Sequence, residues 1–487
     1  MGNACIAPAE EPRVVTAVPR WRAHGAVQKP ACVKRLLVDE DDSNTLYAGS
    51  WDALARRYDL RTGELTLVYT GAMADIIDMA QCTTVDGQRL LFAAPCGPPG
   101  ICCWRRGDAQ LVCVFVTDPA HASPNGAFSA YGLAATPTRL YCGHAFRGVM
   151  SWPVAGALPR DDGQAAIVAH PKLFTASGPL DSERGPATLV SSNGAMALAL
   201  SPSGSPGPRL LATGHIVELN VLLTIPGSQA AALPAATLDE AADANSRQHS
   251  GEFGLFVWDA EAGTARALLG FKHNAALRAV EWAGADSLIS GDLNGRVLHW
   301  RVSTREVLRQ LAPCSQARCR VLLLVSPGAL PWPAGGRDQR AAAATRVLTG
   351  SDDGPPLVAH ALVPSGARAP RGGGGAAAAD GTPPPLVMLS AATLPAAGRN
   401  SLYSVAQTHD FFVTGHKAGE IFVWSRESGN LLKAMGTAGS ANDAPFVRGA
   451  APAHDPSTLA VVMPGAANSS QGTHLARELN VYRPLKF

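Results

Sequence analysis

The strongest constraint on this chain is a spacing that recurs four times. Gly49 to Tyr58, Gly143 to Trp152, Gly291 to Trp300 and Gly415 to Trp424 are each nine residues apart. The surrounding segments read LYAGSWDALARRYDL at 46–60, RLYCGHAFRGVMSWPV at 139–154, SLISGDLNGRVLHWRV at 287–302 and FFVTGHKAGEIFVWSR at 411–426. In each, an apolar strand ends in glycine plus a small or polar residue. A tight turn follows, and a second apolar strand closes on an aromatic ring. A shared register over such distances is the mark of an internal repeat.

Weaker copies fill the intervals: 90–106 closing on Trp104, 345–362 with Gly350 and Asp353 but Ala359 in the aromatic place, and 457–463 with 476–484. RLLATGH at 209–215 and GEFGLFVWDA at 251–260 read as one hairpin split by an insertion. That makes eight hairpins. The closing strands, such as GLFVWD and EIFVWS, are apolar on both faces and so need cover on both sides. Radially stacked sheets supply that cover, and closing the ring leaves only short edges. The expected fold is all-β: a single closed β-propeller of eight blades, with seven the alternative if one degenerate unit is only a loop.

These residues resemble WD repeats. Trp258-Asp259 and Tyr58-Asp59 match the family's terminal dipeptide, Asp52 and Asp353 its turn acid, and Asn294 nearly so. His24, His121 and His273 stand near the upstream histidine, where a hydrogen-bonded core histidine is expected. Phe146 and Ala418 occupy turn-acid positions, so several blades should lack the family's polar network. The resemblance also implies closure by a latch. The chain ends at RPLKF, after the third strand of the last unit, and RVVTAVPRWR at 13–22 reads as the spare strand that completes it. The expected organisation is a flexible tail at 1–12 and the propeller over 13–487. Its rhythm is broken by loop insertions at 216–250, 326–344 and 363–385, whose Ala, Gly and Pro content would bury no face.

Charge and motifs narrow the function. Lys plus Arg is 41 against 39 Asp plus Glu, so no basic footprint points to nucleic acid. No window is apolar for long enough to cross a bilayer as a helix. Ten cysteines, without a secretory leader or the paired spacing of a zinc site, suggest free thiols in a cytoplasmic protein. The phosphate-loop, metalloprotease and nucleophile-elbow patterns are missing. DEDDSNTLYAGS at 39–50 starts like a calcium loop but has Asn44 and Ser50 where Gly and Glu belong, so it reads as a turn. No catalytic, metal or cofactor residue is assigned.

Two local signals remain. LYAGSWDALARRYDLR at 46–61 is similar to the box by which many WD proteins dock onto the adaptor of cullin-RING ubiquitin ligases, with Asp59 and Arg61 at its defining positions and Arg57 a departure. Gly2 with Cys5 resembles an N-myristoylation site beside a palmitoylation site, with Ile6 where Ser or Thr is usual. The resulting expectation is a non-catalytic scaffold that binds other proteins and can be tethered by acyl chains to a cytosol-facing membrane. The alternatives are a substrate receptor of a cullin-RING ligase, and an enzyme using the central channel. The last requires clustered, perturbed titratable groups in the pore.

Overall fold

A computed structural model describes residues 14–15, 32–117, 130–155, 165–224, 247–325, 345–362, 386–389 and 402–436, with short gaps inside these ranges. The strands group into sheets, each built largely from one run of chain folded back and forth. The first holds Val33–Val38, Thr45–Ser50, Ala55–Asp59 and Leu65–Tyr69. The second holds Ile76–Thr83, Arg89–Pro95, Ile101–Arg105 and Leu111–Phe115, and the third Ala130–Ala135, Arg139–His144, Gly148–Pro153 and Lys172–Leu173. The fourth holds Ala195–Leu200, Leu210–His215, Leu255–Asp259 and Thr264–Leu268, and the fifth Leu277–Gly284, Ser287–Asp292, Val297–Arg301 and Glu306–Leu311. The sixth holds Cys319–Val325, Thr345–Ser351, Gly354–Leu362 and Leu386–Leu389, and the seventh Leu402–Gln407, Phe411–His416, Glu420–Ser425 and Leu431–Gly436. The first strand of each sheet touches the first strand of the next, and that of the seventh touches that of the first. The fold is an all-β propeller.

The recurring glycine marks the place where neighbouring sheets approach. A Cβ on Gly49 would lie 2.7 Å from Ile76 of the second sheet. On Gly214 it would lie 2.9 Å from Leu277 of the fifth. On Gly143 it would lie 2.4 Å from the Ala195 carbonyl oxygen of the fourth, well inside van der Waals contact. On Gly415 it would lie 2.7 Å from Val33, joining the last sheet to the first. At that junction the Leu36 N–H also donates to Ser404 Oγ at 2.7 Å, and Tyr58 OH donates to the Gly436 carbonyl at 3.2 Å. The core accordingly lies between sheets. One cluster joins Val33, Leu36 and Tyr58 to Val413, Ile421 and Met435, and another joins Phe92 and Phe115 to Trp152.

Three expectations are corrected. Among the described residues there is no eighth blade, and the seventh sheet packs directly on the first; the hairpin expected at 457–484 lies outside the described residues. The described part of the expected N-terminal latch strand pairs elsewhere. Val14–Val15 pair with Ala166–Val168, which run parallel to Leu111–Phe115 at the outer side of the second sheet. Residues 402–436 supply all four strands of the last sheet, so no edge there awaits a strand from elsewhere. Finally, the insertion at 216–250 is no simple loop. Leu219–Thr224 and Arg247–Glu252 pair with each other and, through Gly185–Leu189, with Leu180–Ser182, forming a separate four-stranded sheet. The split hairpin is prolonged beyond its blade as a second hairpin. The segments 326–344 and 363–385 lie outside the described residues.

A buried polar network ties strands together inside the fifth sheet. His273 Nδ1 lies 2.9 Å from Asp292 Oδ2 and its Nε2 lies 2.6 Å from Ser290 Oγ. Trp300 Nε1 donates to the same hydroxyl at 2.7 Å. In the fourth and seventh sheets threonine replaces the serine and a histidine two residues later replaces the aspartate. Trp258 there donates to Thr213, which contacts His215; Trp424 donates to Thr414, which contacts His416. Where the hydroxyl position is Ala93 or Cys142, the indole reaches a carbonyl at the preceding sheet: Trp104 to Thr70 at 2.7 Å and Trp152 to Val116 at 3.1 Å. Each buried indole N–H thus keeps an acceptor, as burial demands. The expected upstream histidine is realised at His273; His24 and His121 lie outside the described residues.

Acid should weaken the fifth sheet. Burial holds His273 below the usual histidine value despite Asp292, and burial with Arg309 and Arg301 pushes His299 down to about 4. Both groups bind fewer protons folded than unfolded. Their contribution is therefore complete above the unfolded value of about 6.5 and is lost as the pH falls toward 4. Thermal midpoints should fall over that window, and less steeply in His299→Gln. Parallel curves for the two proteins would contradict this account.

Candidate functional site: the axial channel

The first strands line the axis, and an irregularity repeated in each sheet decides which side chains enter it. Register shifts fall at Val33/Arg35, Ile76/Asp78, Ala130/Gly132, Ala195/Ala197, Leu277/Ala279, Cys319/Val321 and Leu402/Ser404. A bulge leaves one residue unpaired and re-aims its side chain. The skipped residues Lys34, Ile77, Tyr131, Met196, Arg278 and Tyr403 all line a cavity of about 160 Å³ on the axis.

The charged groups of the channel are unequally partnered. Lys34 Nζ sits 4.2 Å from the Trp51 ring centre and 4.1 Å from that of Tyr403, a cation held between two π faces where the first and seventh sheets meet. Arg35 Nε pairs with Asp78 Oδ1 at 3.0 Å. Asp78 also accepts the Leu133 N–H of the third sheet and the Met79 N–H, both at 2.8 Å. Burial nevertheless raises the Asp78 carboxyl above its usual range, outweighing Arg35 and the two amides. Glu281 of the fifth sheet is pushed up to about 7 by burial, opposed only by the charge of Arg35. Arg278 Nη1 contacts Met196 Sδ at 2.5 Å.

The sequence-stated candidates lie elsewhere or beyond reach. Asp59 ends the third strand of the first sheet and accepts the N–H groups of Arg61 at 2.7 Å and Thr62 at 3.1 Å, so its carboxylate shapes the turn. Arg61 is exposed, and its Nε donates to Asn44 Oδ1 at 2.9 Å. Gly2 and Cys5 lie outside the described residues. Residue reading missed Lys34, Arg35, Asp78 and Glu281. Their one sequence signal was a charge inside an otherwise apolar strand, as in VKRLLV, IIDMAQ and LRAVEW.

No protein-family model and no curated protein matches the chain. Among solved structures it is similar to the crystal structure of the computationally designed Ika8 protein, at 15% identity over 82% of this chain and 97% of that chain, with a TM-score of 0.43.

Proposed function

We propose that the chain is a WD-repeat-type propeller serving as a non-catalytic platform for binding other proteins. The observation that carries this reading is the way the turns at the sheet rims are held by their own side chains. Asp59 fixes the turn at 59–64, Asp259 accepts the N–H groups of Glu261 and Ala262, and Asp292 accepts those of Asn294 and Arg296. Turns shaped before a partner arrives lose little conformational entropy on binding. The His273–Ser290–Trp300–Asp292 network supports the WD-type assignment, because it contains the upstream histidine that the resemblance singled out; its acid is Asp292, two residues before the near-match turn position at Asn294. A second reading, an enzyme working in the channel, is favoured by the raised carboxyls of Asp78 and Glu281.

Gentle purification from the native cell, followed by chemical crosslinking, separates the two. The platform should carry a stoichiometric protein partner crosslinked at the turns 59–64 or 259–263. Where that partner is a cullin-RING ligase adaptor, Arg61→Ala should release it. A bare protein that converts a metabolite, and loses that activity in Asp78→Asn, would replace the platform with the enzyme.

A further inference from the structure

We propose that the axial channel binds a protonated amine or guanidinium group, received by the carboxylate of Glu281. The site combines a cavity with an unanswered carboxylate. Glu281 is half-buried and lines the cavity, and its carboxylate has no hydrogen-bond partner among the described residues. The cavity, about 160 Å³, far exceeds the roughly 10–15 Å³ that one water needs.

The other groups facing Glu281 leave this role open. Arg35 is paired with Asp78, and Lys34 is held between Trp51 and Tyr403. Arg278 turns its Nη1 to the Met196 sulfur. Tyr131 adds an uncharged aromatic ring to the lining, while the Tyr403 face is already taken by Lys34. The cations already present do not compensate for the burial of Glu281, since its carboxyl is pushed up to about 7 in spite of Arg35. A cation set against Glu281 supplies the countercharge that Arg35, paired with Asp78, does not. The inference goes beyond the platform reading, because a free organic cation would satisfy the site without any protein partner.

The test is calorimetric titration of the full chain with ethylguanidinium chloride, with an end-capped Gly-Arg-Gly peptide, and with sodium acetate. Both cations should bind about tenfold tighter at pH 8 than at pH 6, following the ionised fraction of a carboxyl with a value near 7. Binding at pH 7 should release protons, read as a difference between buffers of unlike ionisation heat; this needs only the wild-type protein. Glu281→Gln should lose both the pH dependence and about tenfold in affinity at pH 8. A peptide bound much tighter than ethylguanidinium assigns the cation to a basic side chain of a partner, and equal affinities assign it to a free solute. Failure of both cations to bind, unchanged binding by Glu281→Gln, or a preference for acetate would overturn the proposal.

Discussion

Replacing Arg106 with alanine should cost about 3 kcal/mol of folding stability, near the lower end of what removing one partner of a buried ion pair costs. Arg106 follows the third strand of the second sheet and is only 2% exposed. Its Nη1 donates to Asp39 at 3.0 Å and Gln81 at 3.1 Å; its Nη2 donates to Glu40 at 3.1 Å, Asp41 at 2.9 Å and Thr83 at 2.8 Å. The acidic turn of the first sheet is thereby pinned to the second. Tyr47 OH donates to Asp39 and Tyr69 OH donates to the Arg106 carbonyl, closing the contact from the other side. Without the guanidinium, Asp39 is left buried beside two more carboxylates. Those of Glu40 and Asp41 are 40% and 35% exposed, so water relieves part of the cost. Urea unfolding measures the loss, and Asp39→Asn in the Arg106→Ala background should recover part of it. A loss below about 1 kcal/mol would show that the acids simply turn outward.

Gly143→Ala should be the second severe change, at about 1–3 kcal/mol, the usual range for overpacking. The added methyl would stand 2.4 Å from the Ala195 carbonyl oxygen and 2.6 Å from Leu198 Cδ1 of the next sheet. A carbonyl in a paired strand cannot move aside as a side-chain end can. Gly214→Ala, which meets the side chains of Leu277 and Val280 at 2.9 Å, should be milder. Gly107→Ala, with nothing within 4 Å of the new Cβ, should be neutral. Thermal midpoints in the order Gly143→Ala, Gly214→Ala, Gly107→Ala, lowest first, would bear out the packing account; equal midpoints would refute it.

Much of the fold was legible because a hairpin is a local object. Its strands pair across a short turn, and the apolar pattern and turn residues that set its register lie within about twenty residues of one another. The hairpin split between Leu210–His215 and Leu255–Asp259 was recognisable for the same reason, since each half kept its own glycine or Trp-Asp signal. The sequence by itself therefore determined the repeated unit, the all-β class and the glycine that lets one sheet approach the next.

Tertiary structure decided what lies between units. Val14–Val15 joined the second sheet because Ala166–Val168 presented an edge there, and nothing in either short apolar run names the other. Arg106 became a staple because the first sheet's acidic turn arrives beside it, sixty-odd residues away in the chain. The channel site is the sharpest case. Lys34, Arg278 and Tyr403 enter the axis only because a bulge skips each of them in the ladder, and a bulge belongs to a pair of strands. By alternation alone those side chains could equally face a neighbouring sheet, so the lining of the axis was set when the strands were paired and the sheets were packed around it.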